Sequence, residues 1–157
     1  MPLLINDSVV IEDDWRAIDD GFPIDSQASV ILSFERLQKE WNLLLDSSVS
    51  LGLELEPGRA VEETLPYLDR LQIVFLKFET FADGRAFSQA RLLRDRYSYH
   101  GDIRAVGEVL CDQLCFMRRC GFNQFQLSEN EDLGLAFSSF GYISVSYQGE
   151  LKQNLPC

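Results

Sequence analysis

Residues 81–96 read FADGRAFSQARLLRDR, four arginines within sixteen residues of a chain whose formal net charge is −11. Across residues 85–119 seven basic groups face four acidic ones, a local excess of +3 that leaves −14 on the rest. Asp83 suits a helix N-cap, and Gly84 and Arg85 would then open the helix. Free backbone N–H groups at a helix start, with a guanidinium in the first turn, favour an anion such as sulfite, phosphate or carboxylate. Lys77 and Arg104 fall near the ends of neighbouring apolar runs and would add charge from adjacent strands. The competing structural reading has Asp83 only capping the helix, Arg91 paired with Asp95 one turn on, and Arg94 and Arg96 solvated.

Other reactive side chains carry weaker signals. Cys111, Cys115 and Cys120 follow a C-x3-C-x4-C spacing, without the C-x2-C knuckle of zinc and iron–sulfur sites. Reduced, buried and inert thiols are the expectation, with Cys157 the accessible one. His100, the single histidine, sits in YSYHGD, a loop expected at the amino end of a strand and away from the anion site. The acidic pairs Asp13–Asp14 and Asp19–Asp20, and the cluster Glu129, Glu131 and Asp132, are expected to face solvent. No G-x-G-x-x-G or P-loop pattern is present, so no cofactor and no metal is indicated by motif, and no catalytic residue can be named.

The elements that must position these groups follow from periodicity. A chain of 157 residues with 46% hydrophobic residues suits one globular domain, residues 1–157. Residues 1–16 predict a short N-terminal hairpin around Asn6, Asp7 and Ser8, and residues 17–28 its connector. Five strand-then-helix units follow, with strands at 29–34, 50–55, 72–80, 102–107 and 123–128. Pro66 weakens the second helix, Gly121 ends the fourth as a left-handed cap, and the fifth runs from about 131 to 140. A last strand over 143–147 precedes a tail over 149–157. Such repetition predicts an α/β domain with a parallel sheet, either an open three-layer sheet or half of a (β/α)8 barrel. Ligands would gather at the carboxyl ends of the strands, near Ser33 and Phe34, Glu54 and Glu56, Lys77 and Glu79, Gly107 and Glu108, and Leu127 and Ser128.

The absence of a long apolar run and of a leader pattern predicts a soluble, cytoplasmic chain. The calculated pI near 4.4 makes nucleic acids and anionic membranes unfavourable partners.

FADGRAFSQARLLR, IRAVGEVL and DQLCFMRRCGF together resemble the bacterial domain of unknown function 934 family. That resemblance covers about a third of the chain, within residues 76–127. It points to Asp83, Gly84, Arg85, Ser88, Arg91, Arg94, Arg104, Gly107, Asp112, Gln113 and Gly121, and so adds Ser88 and Arg91 to the anion-binding set of Lys77, Asp83, Gly84, Arg85 and Arg104. Cys111 stands where a polar or basic residue is expected in relatives, which argues against a shared cysteine site. Members are labelled oxidoreductases involved in sulfite reduction. The resemblance therefore implies a component of assimilatory sulfite reduction and sulfur assimilation, an accessory or oxidoreductase-associated protein with sulfite reductase as partner. Two alternatives stand beside it: a non-catalytic binding or assembly module for sulfite reductase, and a small-molecule enzyme binding a phosphorylated substrate.

Overall fold

The computed structural model describes residues 4–6, 9–80, 82–128 and 130–140. Its strands are β1 (Leu4–Asn6), β2 (Val9–Val10), β3 (Trp15–Ala17), β4 (Ser29–Leu32), β5 (Ser50–Leu55), β6 (Ile73–Phe78), β7 (Asp102–Gly107) and β8 (Gln124–Gln126). The α-helices are α1 (Phe34–Leu45), α2 (Arg85–Arg91), α3 (Leu114–Cys120) and α4 (Leu133–Ser139). The strands lie in one sheet in the order β2-β1-β8-β7-β6-β5-β4-β3. From β3 to β8 they are parallel and sequential, and β1 joins β8 antiparallel.

This order decides between the two architectures the periodicity left open. A doubly wound sheet reverses its strand order part-way, whereas sequential parallel strands send every crossover to the same face. Accordingly, Val30, Leu51, Leu53, Val74, Leu76, Ile103 and Phe125 form one buried cluster with Leu37, Leu93, Leu114 and Met117 of the helical layer.

Chain connectivity then forces curvature. β2 and β3 are seven strand spacings apart, about 34 Å in a flat sheet. Only residues 11–14 join them, a reach of at most about 18 Å from Val10 to Trp15. The sheet is therefore a curled half-barrel, helices on its convex side, with residues 11–14 crossing its concave side.

The N-terminal expectation needs one correction. β1 and β2 pair antiparallel (Ile5 with Val10, Asn6 with Val9), but Trp15–Ala17 is neither hairpin nor connector. It is a sixth parallel strand, with Trp15 opposite Ser29 and Ala17 opposite Ile31. Three residues are too few for a readable period. What fixes them is Trp15, which packs edge-on to Phe75 at 6.2 Å over Gly52, where a Cβ would meet Ile73, Phe75 and Trp15.

Local chemistry accounts for the helix ends. The Ser33 Oγ accepts the Arg36 backbone N–H at 3.2 Å and starts α1. The segment around Pro66 is a 3-10 helix, Val61–Tyr67, and the loop before it is pinned to α2 because the Gln89 amide donates to the Glu56 and Arg59 carbonyls. Gly121 takes the left-handed conformation that ends α3. The segment 143–147 lies outside the described residues.

Candidate functional site

After β6 the chain turns through Asp83, Gly84 and Arg85. Gly84, not Asp83, occupies the N-cap position of α2, with helical dihedrals and no side-chain cap. Asp83 acts from one residue earlier. Its Oδ1 accepts the Arg85 backbone N–H at 3.0 Å, and its two oxygens accept from the Arg85 Nε and Nη2 at 3.0, 3.1 and 2.7 Å. Glu79 stands 3.7 Å from the same guanidinium. The hydrogen bonds from the Arg85 side chain, then its backbone, hold the Asp83 carboxyl down to about 2, and Asp83 in turn raises Arg85. The first free N–H of the helix and the charge of Arg85 are thus both met by the turn's own carboxylates.

The remaining expected residues separate. Ser88 lies one turn along α2, exposed. Arg91 lies at the far end of that helix, about 9 Å from Arg85 along its axis, with its Nε 3.5 Å from the Cys120 Sγ. Lys77 and Arg104 are on the opposite side of the sheet. Phe75 is in register with Arg104 and Lys77 with Val106, so both cations project from adjacent strands onto the concave face.

Arg104 is 1% exposed. It stacks on Phe75 at 4.9 Å, donates from Nε to the Gln124 Oε1 at 2.9 Å, and from Nη1 to the Asp13 Oδ1 at 2.9 Å. That Asp13 oxygen also accepts the Trp15 backbone N–H at 3.2 Å. Gln124 Nε2 passes the chain to Asp102, which takes a second bond from Asn123, whose Oδ1 faces the Ile103 N–H and Arg94. Arg94 completes the network on the helix side by donating to the carbonyls of Gly121, Tyr99 and Gly101 at 3.0, 2.7 and 2.6 Å. Desolvation lowers the Arg94 guanidinium. Lys77, by contrast, is exposed and makes no ion pair among the described residues.

Residues 52–157 match the model of a family described as a bacterial protein of unknown function, DUF934. The chain belongs to this family. No curated protein matches it significantly. Within the DUF934 match lie the Asp83–Arg85 turn, Lys77, Arg94 and Arg104; Asp13 and Trp15 precede it.

The carboxyl ends of the DUF934 strands form an acid-rich rim. A cleft of about 190 Å³ there is lined by Asp19, Ser33, Phe34, Glu54 and Glu56 among others. Arg59 beside it is held by Glu35, Glu56 and Glu63 at 2.5, 3.5 and 3.2 Å. His100 lies at the other end, in a cleft of about 230 Å³ with Asp69, Tyr97 and Ser98. Cys111 and Cys120 are buried free thiols, and burial first, then the Glu131 carboxylate, pushes Cys111 up to about 12. Cys115 is disulfide-bonded, so the expectation of reduced thiols fails there. Cys157 and Glu129 lie outside the described residues. Among the described residues no group of histidine, cysteine and carboxylate side chains could hold a metal, and no helix is long and apolar enough to cross a membrane.

Sequence reasoning missed Asp13, Trp15, Asp102 and Gln124. Asp13 reads as a solvated acid because its partner is 91 residues away; the nearby tryptophan is the available signal.

Proposed function

We propose that the chain is an accessory component of assimilatory sulfite reduction that binds a small oxyanion on the concave face of its half-barrel. The observation that carries this reading is the placement of Lys77 and of Arg104, which stacks on Phe75, on adjacent strands of one sheet face. A guanidinium and an ammonium on one sheet face suit an oxyanion, the first as a planar fork and the second as a mobile point charge. The Asp83–Arg85 turn suits it less, because an incoming anion would have to displace a carboxylate already bonded three ways. Sulfite is the anion the family label carries to this site, and a cytoplasmic place of action goes with it. The six-electron chemistry of sulfite reduction needs redox centres, which this reading assigns to the partner reductase, leaving the chain to hold or deliver the anion rather than act as the oxidoreductase itself.

The acid-rich rim favours a second reading, an assembly module that docks on sulfite reductase through a basic surface. A phosphorylated small molecule, the third candidate, would use the same two cations.

Growth of a deletion strain on sulfate, sulfite or sulfide as sole sulfur source tests the assignment. Rescue by sulfide but not by sulfite is the expected result, and complementation with Lys77→Gln should fail if the anion site is needed. Complementation by that variant, with salt-sensitive co-purification of the reductase, supports the assembly module instead. Normal growth of the deletion strain on all three sources overturns the sulfur assignment.

A further inference from the structure

Arg104, the cation most suited to hold an anion, is closed off by the chain's own strap. Residues 11–14 have no regular secondary structure, cross the concave face between the two sheet edges, and carry three consecutive acids, Glu12, Asp13 and Asp14. Glu12 and Asp14 are exposed, and the Asp13 side chain is 45% exposed even though it holds an arginine that is almost fully buried. One oxygen of Asp13 accepts from both the Arg104 guanidinium and the Trp15 backbone, so the position of the strap and the occupancy of the arginine are mechanically joined. Trp15 packs against Phe75, the ring on which Arg104 stacks.

A carboxylate and an oxyanion offer a guanidinium the same acceptor chemistry. We propose that residues 11–15 are an internal gate, with the Asp13 carboxylate occupying Arg104 in place of the oxyanion that binds there when the strap is displaced. The inference rests on the anion-site reading and adds its regulation. Anion binding must then be weakened by the strap in proportion to the closed population. It must also move Trp15. Lys77, outside the strap and exposed, supplies the first contact.

The test is calorimetric titration of sulfite and of inorganic phosphate into the wild-type chain, Asp13→Asn and Lys77→Gln. Trp15 emission is followed in a Trp41→Phe background, since Trp15 and Trp41 are the two tryptophans. The gate predicts at least about tenfold tighter binding to Asp13→Asn, a several-fold loss in Lys77→Gln, and a red shift of Trp15 as the wild type saturates. Equal affinity of wild type and Asp13→Asn, with the Lys77→Gln loss intact and Trp15 unmoved, overturns the gate and leaves the anion site standing. No binding of either anion to any of the three, with folding verified by circular dichroism, overturns the anion site and the gate with it. The relative affinity for sulfite and phosphate separates the sulfur assignment from a phosphorylated ligand.

Discussion

Arg94 and Arg85 sit in one sequence motif nine residues apart, and the molecule uses them in opposite ways. Arg94 is turned inward against three carbonyls that end α3 and open β7, in a stretch where Leu92–Arg96 widens to a π-helical turn. Arg85 stays 53% exposed and folds back on the carboxylate two residues before it. In the first case the guanidinium supplies hydrogen bonds that backbone groups near the core cannot obtain elsewhere. In the second a high-dielectric, salt-screened pair forms between neighbours, and such pairs stabilise little. An arginine-rich motif is therefore not evidence of one positive site: burial decides whether the charge is spent on the fold.

The sharpest way to break this comparison is truncation. Arg94→Ala strands up to three carbonyls and should cost about 3 kcal/mol, read as a fall in the urea midpoint with unchanged slope. Arg94→Lys should recover less than half, since an ammonium cannot reproduce the fork that spans Gly121, Tyr99 and Gly101. Arg85→Ala should leave the urea midpoint close to the wild-type value. Equal losses at the two positions would show that the carbonyl network is not what distinguishes them.

The motif glycines sharpen the same contrast at lower cost. Gly107, at the end of β7, has φ +89, and a Cβ there would overlap the Phe78 carbonyl oxygen. Gly107→Ala should destabilise by about 2 kcal/mol through strain and collision together. Gly84 has φ −85, and nothing lies within 4 Å of where its Cβ would stand, so Gly84→Ala should be near neutral in thermal melts. Loss of in vivo complementation by Gly84→Ala with unchanged melting would then locate a function in the open turn rather than in folding.

How much of this is readable from the sequence follows the range of the interactions. The strands at 50–55 and 102–107 fall where apolar content and β-branching put them, and Gly121 ends its helix for a reason visible in four or five local residues. Residues 15–17 stay hidden because a three-residue strand has no period, and its place depends on Phe75, sixty residues on. The expected Asp83 N-cap falls one residue off, since an aspartate can serve a helix start from the preceding position with the same oxygen. Choosing between open sheet and half-barrel needs strand order, which depends on which edges the crossovers leave free. The concave site is half legible: Lys77 and Arg104 carry charge that composition flags, whereas the carboxylate closing over Arg104 comes from the far end of the chain and reads locally as one more solvated acid.

The smallest expected effect concerns pH. The Asp83 carboxyl is depressed from an ordinary value near 4 to about 2, first by the Arg85 side chain and then by the Arg85 backbone. Because the folded value lies below the unfolded one, the turn is stabilised above pH about 4, where both states are ionised and only the folded one gains the bonds. That contribution declines as pH falls from about 4 and is gone below about 2, where the carboxyl is protonated in both states. Asp83→Asn should therefore narrow its stability difference from wild type steadily between pH 4 and 2, while Arg85→Ala, which removes the partner, should raise the Asp83 midpoint seen by carbon-detected NMR titration. An Asp83 midpoint unmoved by Arg85→Ala would mean that the carboxylate is held by the helix start alone, and the exposed turn would then resemble the buried network more than its exposure suggests.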